Sequence, residues 1–257
     1  MVANPRRPDL SSTDAVREQA AAMEDRYGWL DPELVIELAL DRFFPAEQVA
    51  AVSSFGADSA VLLHMIAGID RSLPVLFLDT QKHFGETIEF RDALVSDLGL
   101  TDVRVVKPDP AMIGAADPDG SLHTTNPDSC CRIRKSDPMK RSLAPFSAWF
   151  TGRKRFQAGT RKSLAVFEAV DERMRINPLA LLTSNDIKSY LYTNNLRRHP
   201  LVAHGYLSIG CQPCTMPVKP GEKERSGRWS GTGKTECGIH ISADGKIVPL
   251  SSTVGAL

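Results

Sequence analysis

The sequence predicts an α/β fold with a doubly wound, mostly parallel β-sheet. Between residues 48 and 107, three short apolar segments with the length of buried strands alternate with two segments of helical pattern. Parallel strands need a crossover connection, usually a helix, so this alternation is typical of a parallel sheet. Such sheets bind ligands at the carboxyl ends of their strands, and we expect the functional site there.

The elements up to residue 107 follow one another in a regular order. Helical patterns cover residues 14–40, with Asp31-Pro32-Glu33 as a helix start signal. After them we predict strand, helix, strand, helix and strand over residues 48–53, 60–68, 74–80, 86–98 and 103–107. The first strand runs through a turn of small residues into its helix, an arrangement that directs backbone N–H groups at an anion.

The second half of the chain is less regular. Residues 108–126 are rich in Pro, Asp and Gly, which predicts a loop. This loop leads to Cys130 and Cys131 at the start of a basic helix over residues 134–143. We predict two further strands and one helix, over residues 148–151, 174–182 and 185–194.

The C-terminal part of the chain has a different composition. Residues 226–233 are rich in Gly and Ser, which indicates a flexible stretch because glycine costs much backbone entropy to order. We therefore divide the chain into an α/β domain, residues 1–222, and a mobile C-terminal segment, residues 223–257.

Composition and charge argue against several classes of protein. The 257 residues carry a formal net charge of zero at pH 7, which argues against a large nucleic-acid surface. No stretch is apolar enough for a secretory core or a membrane span, so we expect a soluble, cytoplasmic protein. Basic clusters at residues 132–141, 153–162 and 219–228 are either solvated faces or contacts for a small polyanionic ligand.

Five cysteines in a reducing compartment indicate metal binding or catalysis rather than disulfides. They form two close pairs, Cys130 with Cys131 and Cys211 with Cys214, and leave Cys237 alone. Four thiolates in two pairs suit an iron–sulfur cluster, which accepts a less regular donor set than a single ion does. A structural zinc site and four unliganded cysteines stay open as alternatives.

Cys237 is the candidate nucleophile. It lies on a polar segment between Glu236 and Gly238, with Lys234 and His240 close to it in sequence. Cationic neighbours favour the reactive thiolate form of a cysteine. The alternative for a lone cysteine is an inert, buried side chain.

The turn after the first predicted strand is the candidate anion site. It reads Ser54-Phe55-Gly56-Ala57-Asp58-Ser59 and lacks the spacing and the lysine of a P-loop. Ser54, Gly56 and Ser59 are its candidate contacts, and Asp79 and Thr80 end the next strand along the chain. The turn is similar to the S-G-G-x-D-S loop of the PP-loop family of adenine-nucleotide enzymes, with Phe55 at the first glycine.

Together these motifs resemble the assimilatory sulfonucleotide reductases, which reduce adenosine 5′-phosphosulfate (APS) or its 3′-phosphorylated form (PAPS) to sulfite. The resemblance spans residues 52–240. Its most specific part is residues 234–240, which resemble the signature K-x-E-C-G-L-H with Ile239 for leucine. Residues 130–135 resemble the C-C-x-x-R-K of the iron–sulfur branch and residues 211–214 its C-x-x-C, which points to APS as substrate.

The resemblance implies a role for each matching position. Cys237 would be the nucleophile, Cys130, Cys131, Cys211 and Cys214 the ligands of a 4Fe–4S cluster, and Lys135 a neighbour of that cluster. The substrate contacts would include Arg155, Gln157 and Arg161, although Phe156 stands where the family has an acidic residue, and also Arg225, Arg228 and His240.

The resemblance also implies partners and a reaction. APS would be reduced to sulfite and AMP through an S-sulfonated cysteine, with thioredoxin or glutaredoxin as the thiol reductant. We expect no nucleic acid and no membrane as partners, and a homo-oligomer of a size that the sequence does not define. The alternatives are a PAPS or dual-substrate reductase, a cluster-bearing PP-loop RNA thiolase and a zinc-stabilised nucleotide-binding module.

Overall fold

The computed structural model describes residues 8–229 of the chain. A six-stranded sheet with the order β3-β2-β1-β4-β6-β5 forms its centre. The strands are, in chain order, β1 Val49–Ser53, β2 Val75–Leu78, β3 Val103–Val106, β4 Ala148–Thr151, β5 Phe167–Val170 and β6 Arg173–Ile176. Every neighbouring pair is parallel except β5 and β6, which form an antiparallel edge. The predicted fold class is confirmed.

Helices cover both faces of the sheet. The α-helices are α1 Thr13–Tyr27, α2 Pro32–Leu38, α3 Ser59–Ile69, α4 Gly85–Leu98, α5 Pro110–Ala116, α6 Leu122–Thr125, α7 Pro127–Cys131, α8 Asp137–Ser142 and α9 Ser184–Thr193. Local signals set several of their ends. The side chain of Thr183 accepts a hydrogen bond at the start of α9 in a capping box with Asp186, and α4 ends at Gly99 with a φ of 64°.

The sheet separates a larger and a smaller apolar core, one on each of its faces. Along β1, Val49 and Ala51 pack in the larger core and Ala50 packs in the smaller one, because successive side chains of a strand point to opposite faces. The larger core also contains apolar side chains of α1, α2, α3 and α9. The smaller core lies under α8, with Met139 and Trp149 among its buried side chains.

The strand order creates a switch point in the middle of the sheet. From β1 the chain adds β2 and β3 on one side, and later adds β4 and β6 on the other side. The connections on the two sides of β1 and β4 therefore diverge at the carboxyl ends of these strands. A crevice at this position is the usual ligand site of doubly wound sheets.

Several local predictions were wrong. Residues 108–126 contain α5 and α6 rather than a structureless loop, and the helical segment with Cys130 and Cys131 at its start begins earlier than predicted, with α7 at Pro127. The predicted strand 174–182 ends at Ile176, because the amides of Ala180 and Leu182 turn back to preceding carbonyls. Strand β5 was not predicted.

The first part of the C-terminal segment lies against the preceding chain. Residues 226–229, expected to be flexible, form a turn and an antiparallel bridge between Arg228 and Thr215. The amide of Trp229 then donates to the carbonyl of Cys214 at 3.1 Å. The proposed domain boundary stays a prediction, because most of the C-terminal segment is outside the described residues. In the described part, no helix is long and apolar enough to cross a membrane.

Candidate active site

A cavity of about 250 Å³ lies at the switch point. Residues at the carboxyl ends of β1 and β4 line it, together with residues 207–211. The expected site residues that line it are Ser54, Gly56, Ser59, Thr80, Lys135, Gln157, Arg161, Cys211, Arg225 and Arg228. Positions that are far apart in the sequence thus meet at one place.

Packing and a hydrogen bond fix the conformation of the anion loop, residues 54–59. Phe55 has a φ of 47°, and its buried ring packs edge-on against Phe77 with 5.5 Å between ring centroids. The amide of Phe55 donates to the Oγ of Ser53 at 3.1 Å. At Gly56 a β-carbon would come within 3.3 Å of the carbonyl oxygen of Ile209, so a side chain here would require this carbonyl to shift by a few tenths of an ångström.

Basic side chains dominate the polar part of the lining. Besides the expected ones, the structure adds Arg153, Lys154 and Arg175. Arg161 is buried, and its Nη1 donates to the Oε1 of Gln157 at 2.7 Å. Such a concentration of cations suits a ligand with more than one anionic group.

A partly buried glutamate, Glu168, binds two of these arginines. The Oε2 of Glu168 accepts hydrogen bonds from Arg153 Nη1 and Arg175 Nε, each at 2.9 Å, and from Asn177. Burial raises the pKa of the Glu168 carboxyl, but the charges of Arg175 and Arg153 outweigh burial and bring the pKa below its usual value. The sequence offered one signal for this cluster, the run of basic residues after β4. The pairing of Glu168 with Arg175 across β5 and β6 depends on an unpredicted strand.

Arg228 is packed into the cavity wall by its neighbours. Its guanidinium carbon lies 4.4 Å from the centroid of the Trp229 ring, and the guanidinium fills the space where a side chain at Gly210 would lie. Among residues 8–229, its buried Nε has no hydrogen-bond partner. A buried donor without a partner is rare in native proteins, and an anion in the cavity would satisfy it.

Four cysteines come together beside the cavity. Cys130, Cys131 and Cys211 are buried, and Cys214 is partly exposed. Burial raises the pKa of the Cys130 thiol, and the neighbouring Cys211 and Cys214 raise it further, which indicates that the two pairs are close in space. The Sγ of Cys211 is also 3.2 Å from the Oγ1 of Thr80.

The donor set suits a group larger than one ion. No three His, Cys, Asp or Glu side chains within residues 8–229 are arranged to hold a single metal ion. Four soft sulfur donors from two parts of the chain nevertheless match the ligand type of an iron–sulfur cluster. Two buried cations, Arg134 and Lys135, lie within one helical turn after the first cysteine pair, and Lys135 also reaches the cavity lining.

Two expected substrate residues lie elsewhere. Asp79 lines a second, open pocket, and its Oδ1 accepts from the amide of Gln81 at 2.9 Å. Arg155 is outside the lining, where its Nε donates to the carbonyl of Leu164 at 2.7 Å. Cys237 and His240 are outside the described residues.

His83 was missed by sequence reasoning and lies between the two pockets, where it lines both. Burial lowers its pKa, although a hydrogen bond to the carbonyl of Leu78 at 2.9 Å partly opposes this effect. The imidazole is therefore neutral at pH 7. No pattern around His83 in the sequence distinguishes it from an ordinary surface histidine.

Comparisons with known proteins agree with this geometry. Residues 48–217 match the family model of the phosphoadenosine phosphosulfate reductase domain. The chain is 58% identical over 244 residues to adenosine 5′-phosphosulfate reductase from Mesorhizobium japonicum, an alignment that covers 94% of this chain and 96% of the relative. It is 60% identical over 223 residues to the protein of the same name from Chelativorans sp., with coverage of 87% and 91%.

A solved structure shares the fold. The crystal structure of phosphoadenylyl-sulfate (PAPS) reductase from Candida auris, a phosphate complex, matches with a TM-score of 0.65 and 26% identity. The match covers 77% of this chain and 97% of that one. The family model spans more than half of the chain, and the relatives align over nearly all of it. The chain therefore belongs to the phosphoadenosine phosphosulfate reductase family of sulfonucleotide reductases.

Proposed function

We propose that this protein reduces APS to sulfite and AMP in sulfate assimilation. The observation that carries the proposal is the cavity at the switch point, which is lined by the anion loop, by several basic side chains and by Cys211 of the second cysteine pair. The names of the relatives from Mesorhizobium japonicum and Chelativorans sp. support APS as the substrate. The buried, unpartnered Nε of Arg228 supports an anionic ligand.

In this proposal the cavity holds the nucleotide and its anionic groups. Loop 54–59 and the N-terminus of α3 offer backbone donors to the phosphosulfate. Arg161, Arg225 and Arg228 surround it with positive charge, and Lys135 does so from the cysteine side. Asp79 and Arg155 lie outside the cavity lining, and their substrate roles stay predictions.

The proposed reaction starts with Cys237. Its thiolate attacks the sulfur of APS, a new S–S bond forms, and the bond from sulfur to the phosphate oxygen breaks. AMP leaves with the electron pair of that bond, and Cys237 carries an S-sulfonate. The arginines and the loop amides stabilise the charge that develops on the phosphate and sulfonyl oxygens.

A thiol protein completes the proposed reaction. One thiolate of thioredoxin or glutaredoxin attacks the Cys237 sulfur, and sulfite leaves with the electron pair of the S–S bond. The second thiol of the reductant then attacks the mixed disulfide and releases Cys237 as a thiolate. The two electrons come from the dithiol, which becomes a disulfide. His240 stays a proposed contact of the substrate near Cys237.

The four paired cysteines are the proposed ligands of a 4Fe–4S cluster. When bound, this group would link α7 to the turn at residues 211–214 and act electrostatically together with Lys135. The dithiol supplies the electrons, so no step of the reaction requires the cluster to change its redox state. The expected homo-oligomer and the cytoplasmic location stay predictions.

The direct test is sulfite release by full-length protein that has been purified without oxygen. The protein is given thioredoxin and either APS or PAPS, and iron and zinc are measured on the same sample. We expect iron in the protein and sulfite from APS. Turnover of PAPS alone would contradict the proposed substrate, and zinc without turnover of either compound would contradict the proposed function.

A further inference from the structure

Lys154 is a buried cation in the cavity lining for which the sequence gave no role. Its side chain is 2% exposed, and its Nζ is 3.0 Å from the Oδ2 of Asp58. Lys154 follows β4, whereas Asp58 directly precedes α3. The ion pair therefore connects the two sides of the switch point within the cavity lining.

Asp58 occupies an unusual position for a carboxylate in an anion site. It is the N-cap residue of α3, where an aspartate side chain commonly accepts from the amides of the first turn, yet Asp58 makes no such hydrogen bond. Its negative charge lies at the positive end of an 11-residue helix. An uncompensated carboxylate there would repel an anionic ligand and compete with it for the helix N-terminus.

We propose that Lys154 is a positioning residue that neutralises Asp58, and thereby keeps loop 54–59 and the N-terminus of α3 available to the phosphate end of the substrate. The inference rests on the proposed function for its substrate. Its binding part applies to any adenosine 5′-phosphate. Because Nζ is committed to Asp58, Lys154 acts through this carboxylate and not by contact with the phosphate.

The test compares AMP with adenosine as ligands of the anaerobically purified, full-length protein, by calorimetry. Lys154→Met leaves the Asp58 charge unpaired, so we expect AMP to bind about tenfold more weakly, while adenosine stays within about twofold. Asp58→Ala in the Lys154→Met background should restore AMP affinity to within about threefold of wild type. Lys154→Arg, which keeps the charge, should retain most of the affinity.

Lys162→Met is the matched control, because it removes an exposed lysine from the same basic cluster.

Asp58→Ala alone provides a second arm if Lys154→Met does not fold, and we expect it to bind AMP more tightly than wild type. Three results would overturn the inference. They are unchanged AMP affinity in Lys154→Met, a double variant no better than Lys154→Met, and weaker AMP binding in Asp58→Ala.

A turnover assay distinguishes failure of this inference from failure of the proposed function. If wild-type protein reduces APS, Lys154→Met should raise the KM for APS while kcat stays within about threefold. A protein that shows the expected AMP pattern but releases no sulfite would contradict the proposed function and leave the role of Lys154 intact. A loss confined to kcat would contradict the role of Lys154 alone.

Discussion

Phe55 has a strained backbone conformation, and burial of its side chain compensates for the strain. A positive φ is costly for a bulky residue, and Phe55 has a φ of 47°. The related loop of PP-loop enzymes has glycine at this position, which adopts such a conformation without strain. Phe55 compensates by complete burial of its ring in the larger core.

Two substitutions at Phe55 separate strain from packing. Phe55→Ala and Phe55→Gly both lose the ring, at a cost of about 3–5 kcal/mol in the free energy of unfolding. Only alanine keeps the left-handed strain, so we expect the glycine variant to be the more stable of the two by about 0.5–1 kcal/mol. Urea unfolding of both variants measures this difference.

The control for this pair is Ala22→Gly, at an exposed position within α1. There glycine should cost about 1 kcal/mol, the usual order. If alanine were also the more stable residue at position 55, the strain assigned to the loop would be refuted.

His199 makes the stability of the folded state depend on pH. It is buried, its Nδ1 accepts from the amide of Leu201 at 3.2 Å, and its Nε2 is 3.0 Å from the Oγ1 of Thr87. Burial lowers its pKa from 6.5 to about 4, although Glu86 opposes this shift. Between these values the unfolded chain binds a proton that the folded chain does not, so stability falls as pH falls.

We expect this single group to remove about 2 kcal/mol of stability between pH 7 and pH 5. Glutamine at position 199 cannot titrate. The free energy of unfolding of His199→Gln should therefore fall by about 2 kcal/mol less than that of wild type between pH 7 and pH 5. Urea unfolding of wild type and variant at both pH values measures the two slopes. Equal pH dependence in the two proteins would show that His199 is not the group responsible.

At the scale of elements, the segment that carries the first cysteine pair is held by one buried ion pair. Arg134 donates to the Oδ2 of Asp117 at 2.6 Å and to the carbonyl of Thr80 at 3.0 Å. Burial opposes ionisation of Asp117, but hydrogen bonds from the Leu122 amide and Arg134 outweigh it and lower the pKa of this carboxyl. These contacts anchor the π-helical segment Arg132–Ser136 to Asp117 at the end of α5 and to Thr80, which follows β2.

The neighbouring arginine provides a matched comparison. Arg134→Leu leaves Asp117 as an uncompensated buried charge, so we expect a loss of about 3–5 kcal/mol in the free energy of unfolding. Arg132→Leu breaks an exposed pair with Asp137 and should cost about 0–1 kcal/mol. Denaturant unfolding of the two variants measures both values, and similar losses would contradict the anchoring role of Arg134.

The sequence predicted elements best where periodicity was strong. The first three strands of the chain and the helices between them have clear patterns and were found within a few residues. The short helices α5 and α7 begin with proline, which is typical of loops, but Pro110 and Pro127 stand at first helical positions, where proline is well accepted. Strand β5 was missed, although it is as long as β2, β3, β4 and β6.

At the scale of the whole molecule, sequence motifs identified the chemistry of the site but not the direction in which each side chain points. Asp79 and Thr80 both follow β2, yet Thr80 lines the cavity and Asp79 lines the second pocket. Successive side chains of an extended segment point to opposite sides, so at most one of them could face the cavity. The basic run after β4 likewise contributes Arg153 and Lys154 to the lining rather than Arg155.

Contacts between distant parts of the chain were beyond sequence reasoning. The Lys154–Asp58 ion pair and the contact of Thr80 with Cys211 join residues that only the sheet order brings together. Sequence patterns report local structure, whereas these contacts depend on which strands become neighbours. The family resemblance supplied the ligand class of the cavity, and the structure supplied the arrangement of its charges.

The central claim is that Cys237 takes the sulfonate group from APS. The most direct measurement gives the anaerobically purified protein APS without any thiol reductant, then quantifies AMP and maps covalent modification by mass spectrometry. We predict a single burst of AMP, about one per active chain, with S-sulfonate on the peptide that contains Cys237, and neither product in Cys237→Ser. Release of AMP without modification of Cys237, or an equal burst in Cys237→Ser, would contradict the account.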